Sequence, residues 1–340
     1  PYSELGQVSA AEVADGEGGV RITSPGPRRF FQFKVEYTSE DLFSARGLGS
    51  LSFDYTNPAL AERIIAEITP RQAELGELTA FSLVVVPELR PGVDRGFNSL
   101  TISTPVRVNS IGRLSMGMPD GSSVEDDFIN ADLSSLPIVG SNFTIVALTD
   151  DHFQIEIPAV ASSRLGAGEV TAMEFNFECV VLRTGTEFVV EAQLQGADEV
   201  AQRAVAGNAL ILREGGVTAV EDPSSLAVQV EKRGGLLINV HADPRVVTPN
   251  DDGLNDTATI RFDVTDLTSG GDVAVRIYDL SGRLVRLVDD NSYASGRYAR
   301  AWDGKNEHGD LVSPGIYIYT IDVDADAGAA AKSGTIAVAY

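Results

Sequence analysis

The sequence predicts an all-β protein made of tandem immunoglobulin-like antiparallel β-sandwiches. Three observations predict it. Apolar and polar residues alternate with a period of two in many short runs, clusters of Gly, Pro, Asp and Ser separate those runs, and Gly or β-branched residues interrupt almost every window in which a helix could settle. Alternation gives each strand one face for a core and one for water, as antiparallel sandwiches require. A chain of 340 residues suits two or three such domains.

Taken in order, residues 1–65 form an N-terminal arm and a short strand segment, an incomplete sandwich. The arm, PYSELGQVSAAEVADGEGGV, is acidic, rich in small residues and without a packing pattern. Two strands are expected after it, around 29–38 and 49–55. In RFFQFKVEYT, Phe31, Phe33, Val35 and Tyr37 share one face, while Gln32, Lys34 and Glu36 share the other. Two strands bury too little to stand alone. In NPALAERIIAEI (57–68), an Asn and then Pro58 precede a helix-compatible spacing, so a short helix or linker is expected, with a strand running into ITP as the other reading.

Residues 66–214 are expected to be an immunoglobulin-like sandwich. In DHFQIEIPAV, Phe153, Ile155 and Ile157 alternate with Gln154 and Glu156. In TAMEFNFECVVL, Cys179 falls in phase with Met173, Phe175, Phe177 and Val181 and reads as a buried core thiol. As the only cysteine it excludes an internal disulfide. A linker, 215–235, contains the Gly, Pro and Ser of REGGVTAVEDPSSL and leads to a last sandwich, 236–340.

That last segment is read piece by piece. Val273, Val275 and Ile277 share one face of a strand, Ser281-Gly282 makes a tight turn, and Leu284 begins the returning hairpin partner. Trp302, the sole tryptophan, anchors the core. Asp303-Gly304, His308-Gly309 and Pro314-Gly315 are turn formers. Together V-x-I-Y-D-x-x-G-R-L-V, W-D-G-x-x-x-x-G and P-G-I-Y-x-Y resemble the FlgD-type Ig-like domain at the C-termini of bacterial surface proteins, and the related C-terminal modules of type IX secretion cargo. TPNDDGLND (248–256) is similar to the T-P-N-x-D-G-x-N-D opening of that group. The resemblance covers roughly 236–340 and implies a secreted, extracellular or cell-surface, non-catalytic β-sandwich protein.

The same stretch offers hard oxygen atoms for calcium. With Gly253 at the sixth position of an EF-type loop, the ligand slots fall on Thr248, Asn250, Asp252, the Leu254 carbonyl and Asp256. Thr in the first slot and Thr259 in the twelfth depart from that pattern. In the competing reading Asn250, Asp251 and Asp256 satisfy backbone donors in an Asx-rich turn. No other cofactor is expected.

Composition narrows the partners. With 26 basic and 49 acidic residues the net charge is -23, a field that repels nucleic acid and anionic membranes and favours cations. No apolar run approaches the ~20 residues of a membrane span, and no leader stands before Pro1, as would also hold for a mature chain trimmed of one. His152, His241 and His308 lie far apart without metal-ligand spacing. Acidic groups such as Glu125, Asp126 and Asp127, or Asp150 and Asp151, are read as solvated loop charge rather than a glycosidase pair. No enzyme is expected. The expectation is a structural surface protein, a filament or appendage subunit that self-associates by strand addition, the arm or the 29–55 strands completing a neighbouring copy's sheet. The alternatives are an adhesin that binds a surface glycan or protein beside a calcium-stiffened loop, and a cargo or accessory region with a C-terminal sorting domain.

Overall fold

A computed structural model describes residues 56–117, 121–160, 172–196, 200–231, 235–267 and 270–340. The arm and the strands expected at 29–38 and 49–55 lie outside the described residues. The first module holds β1 (Arg63–Thr69), β2 (Gln72–Glu74), β3 (Leu78–Glu88), β4 (Phe97–Ser103), β5 (Ser110–Gly117), β6 (Ser123–Asp127) and β7 (Ile138–Val139). It continues with β8 (Thr144–Leu148), β9 (His152–Val160), β10 (Met173–Val180), β11 (Thr186–Glu187), β12 (Val189–Gln193), β13 (Gln202–Arg203) and β14 (Val205–Ala206). A short helix, α1 (Ala209–Arg213), precedes β15 (Ala227–Glu231).

Two six-stranded sheets form the sandwich, ordered β14-β1-β3-β10-β5-β6 and β13-β12-β4-β9-β8-β7. Pairing is antiparallel except between β1 and β14. The inward residues of both sheets merge into one core. At its centre Phe81, Phe153, Phe177 and Phe188 pack with ring centroids 5.3–6.0 Å apart. Each such ring contributes about 1.5–3 kcal/mol by leaving water. Cys179 lies in this core in the expected phase.

Two expectations are corrected here. The 57–68 stretch carries no helix among the described residues and takes its other reading, a strand running into ITP: Arg63–Thr69 is β1, and the boundary set at 65 falls inside it. The physical reason is burial on both faces. Ile64, Ala66 and Ile68 enter the sandwich core, while Ile65 turns outward against Val84, Val86, Val205, Ala209 and Leu212, under α1. A strand covered on both sides loses its alternation and imitates a helix. Likewise the 215–235 linker contains β15, which pairs with β11 and, in parallel, with β2. Leu226, Val228 and Val230 belong to the first core.

The C-terminal module is a second sandwich with its own core. Its strands are β16 (Leu237–Asp243), β17 (Val246–Val247), β18 (Ala258–Val264), β19 (Gly271–Asp279), β20 (Leu284–Tyr293), β21 (Gly296–Trp302), β22 (Gly315–Ala325) and β23 (Gly328–Val338). A three-stranded sheet, β16-β18-β21, faces a five-stranded one, β17-β23-β22-β19-β20. Trp302 is 1% exposed and meets Tyr317 edge-on at 5.4 Å. Beside the core, Asp289 accepts hydrogen bonds from Tyr293, Arg300 and Asn291. Burial pushes its carboxyl upward, but those donors outweigh burial and hold it below the usual range.

The modules touch at a defined joint. Ile238 of β16 packs against Val106, Val180 and Leu182 of the first module. Its Cδ1 would lie 2.2 Å from a Cβ on Gly76, whose φ of +76° also favours glycine. Asp266 closes the other side: its amide donates to the Leu182 carbonyl, and its Oδ1 accepts from the Thr184 amide at 2.8 Å and hydroxyl at 3.0 Å.

Candidate functional site

The sequence-marked loop, 248–256, connects β17 to β18 and is closed by its own backbone amides. Asp256 Oδ1 accepts from the amides of Asn250 (3.0 Å) and Asp251 (2.9 Å), and its Oδ2 from Gly253 (2.8 Å). Asn250 Oδ1 accepts from the Asp252 amide, and Asp252 Oδ1 from Leu254. The Leu254 carbonyl accepts from the Thr248 hydroxyl. Asn250, Asp252, Leu254 and Asp256 are thus brought together, but each candidate ligand oxygen points at a donor of the loop. Asp251, Gly253 and Asn255 take φ of +59°, +85° and +56° to permit it. Among the described residues no group of three or more His, Cys, Asp or Glu side chains could hold a metal ion.

The other motif residues are also turn chemistry. Asp279 Oδ1 accepts from the Ser281 hydroxyl and amide and from the Arg283 amide. The Ser281 hydroxyl and the Arg283 amide hold that carboxyl below its ordinary value. Asn306 Oδ1 accepts from the amides of His308 and Asp310. Pro249 rests on the turn after Trp302, its Cγ 3.0 Å from where a Gly304 Cβ would stand. The TPN and WDG signatures therefore form one packed corner.

Candidate chemistry resolves in the same way. Thr149, Asp151 and His152 meet in the turn between β8 and β9, but the Thr149 hydroxyl and Asp151 carboxylate both contact Nδ1 of His152, each at 2.8 Å. A nucleophile–base–acid triad needs the two on opposite ring nitrogens. Burial pushes the Cys179 thiol up to about 12, far from a reactive thiolate.

Glu125, Asp126 and Asp127, expected in a loop, lie on the edge strand β6. Asp126 ties that edge to the opposite sheet: its Oδ2 accepts from the amides of Asn142 (2.6 Å) and Phe143 (2.8 Å), just beyond β7. Partial burial acts to raise its carboxyl, but the amides of Asn142, Phe143 and Ser141 hold it low. A groove of about 680 Å³ opens between the two edges, lined by Asp126, Asp127, Ile129, Ile138 and Val139 among others. Ile129 is 54% and Val139 72% exposed. The sequence signal for this groove was present, as apolar residues set in the polar stretches around DDFIN and LPIVGS, but exposure cannot be read from it.

Residues 241–338 match the profile of the CHU_C type IX secretion signal domain. That match names the sorting domain and gives no support to the FlgD-type name. A type IX secretion signal marks a secreted, cell-surface protein. No helix among the described residues is long and apolar enough to cross a membrane. No curated protein matches the chain. Among solved structures, dimeric latent PorU from Porphyromonas gingivalis is 13% identical, with a TM-score of 0.27, over 81% of this chain and 34% of that one. PorZ, a surface component of the type IX secretion system of the same organism, is 16% identical, with a TM-score of 0.21, over 45% and 15%. A tetra-tandem repeat from the extending region of a large adhesion protein is 15% identical, with a TM-score of 0.23, over 81% and 49%. The chain therefore spans half or less of each of these structures.

Proposed function

We propose that the chain is a non-catalytic structural subunit of the cell surface, joined to further copies of itself through strand edges. One observation carries the reading: β6 and β7 end the two large sheets on the same side of the sandwich, each paired on one side only among the described residues. Exposed edges recruit strands. The non-catalytic part is supported by the turn and core roles of the histidines, acids and cysteine described above. Sedimentation and electron microscopy of the purified full chain test the assembly. Concentration-dependent oligomers or filaments are expected, and monomers at every concentration would overturn it.

A second reading, favoured by the 241–338 match, makes the first module cargo and the second its sorting tag. Residues 236–340 fused to a reporter would then reach the surface of a host with type IX secretion, and retention of the reporter inside would refute it.

A further inference from the structure

The groove between β6 and β7 is chemically selective. Of the residues of β6, Glu125 and Asp127 face water while Val124 and Asp126 turn inward. Two copies cannot pair β6 to β6, because like carboxylates would stand opposite each other. A strand that suits it sets apolar side chains against the exposed Ile129 and Val139 and basic ones beside Glu125 and Asp127.

The chain contains such a segment outside the described residues. Residues 28–37 carry Arg28, Arg29 and Lys34 against one acid, Glu36, within a chain of net charge -23. In the strand expected there, Phe31, Phe33, Val35 and Tyr37 share one face with Arg29 at its start, and Arg28, Gln32, Lys34 and Glu36 fall on the other. We propose that the 28–37 segment of one copy adds as a strand to the β6 edge of the next copy, seating its aromatic face in the groove and setting Lys34 beside Glu125 and Asp127.

The N-terminal connection starts on the side of the module opposite the groove. The Thr56 hydroxyl donates to the Val200 carbonyl, next to β13. β13 and β14 end the two sheets on the side opposite β7 and β6. Donor and acceptor therefore leave from opposite edges, five strand spacings or roughly 24 Å apart, and a contact of that kind between copies repeats head to tail, as a filament or a ring. Residues 38–55 reach up to about 60 Å when extended, enough to bridge to the next copy.

This rests on the assembly reading above and specifies its edge and strand. The test uses the full chain with Val139→Cys combined with Phe33→Cys or Val35→Cys. Val139 is exposed, so its exchange spares the core, and Cys179 is buried and silent. Mild oxidation is expected to give a ladder of disulfide-linked multimers that no single-cysteine variant gives. A faster-running monomer would mean the segment closes on its own molecule, and would overturn the proposal. No cross-link in protein that still sediments as oligomers would sink this edge while leaving assembly intact; a monomeric wild type would sink both. As a second arm, Glu125→Lys with Asp127→Lys should weaken self-association at least tenfold, and adding Arg28→Glu with Lys34→Glu should restore it. Unchanged association in the first of these variants would likewise overturn the assignment.

Discussion

The joint between the modules makes a quantitative demand on Gly76 and Ile238. A Cβ at position 76 meets two obstacles: a φ of +76°, and the Ile238 Cδ1 at 2.2 Å. Left-handed backbone in a non-glycine residue costs roughly 1–2 kcal/mol. Displacing a packed side chain costs roughly 1–3 kcal/mol, so Gly76→Ala should destabilise by about 2–5 kcal/mol. Ile238→Ala should lose about 1–2 kcal/mol, less than a fully buried isoleucine, since Ile238 is only partly buried. Combined, the two changes keep the backbone cost and the lost packing but remove the collision. The double variant should therefore be more stable than the sum of the single effects by about 1–3 kcal/mol, the collision removed. Urea unfolding followed by far-ultraviolet circular dichroism sees both modules, that of Gly76 and that of Ile238, and Trp302, the only tryptophan, separates out the C-terminal one. Additivity within about 0.5 kcal/mol would mean that Gly76 and Ile238 do not touch in solution, and that the modules are strung rather than docked.

The remaining expectations are simpler. Asp256→Ala strips the acceptor from three amides of the 248–256 loop and should lower stability by about 1–3 kcal/mol. If those amides close the loop without a metal ion, added calcium or chelator leaves the wild-type Tm within about a degree, whereas a bound ion would raise it by mass action and Asp256→Ala would abolish the rise. Asp126 and Asp289 titrate below their ordinary value when folded, so the stability they contribute is full above the unfolded carboxylate range near ~3.9 and is lost as pH falls through their folded values. Melting curves should accordingly be flat from about pH 7 to 5 and drop below about pH 4, with a shallower drop in Asp289→Asn; an equal drop in that variant would refute the assignment. Cys179, its thiol pushed up to about 12, should resist alkylation at about pH 8 until the chain is unfolded; rapid modification of the folded protein would contradict its burial.

How far the sequence could be read depends on what each side chain faces. Where a strand has one wet face, as in β9, β10 and β19, alternation located it and the inward set was right down to Cys179 and Ile277. Where both faces are covered the periodic signal vanishes, and β1 was mistaken because α1 and β14, more than 130 residues away, supply its second cover. β15 kept its alternation in Leu226, Val228 and Val230, yet the Gly, Pro and Ser before it signalled a joint. Its partners β2 and β11 come from distant parts of the chain, and no local pattern announces them.

The 248–256 loop is ambiguous in sequence for a different reason. Short carboxylates and amides around a glycine serve equally to cap backbone N–H groups and to surround a cation, because both require oxygen atoms converging on a point. Only the direction of each oxygen separates the two. Here Asp256 turns both of its oxygens onto amides, and the turn it closes seats Pro249 over Gly304. The surface open to partners is therefore better sought where strands lack neighbours than where acids are densest, and the β6–β7 edge meets that condition with apolar residues already in water.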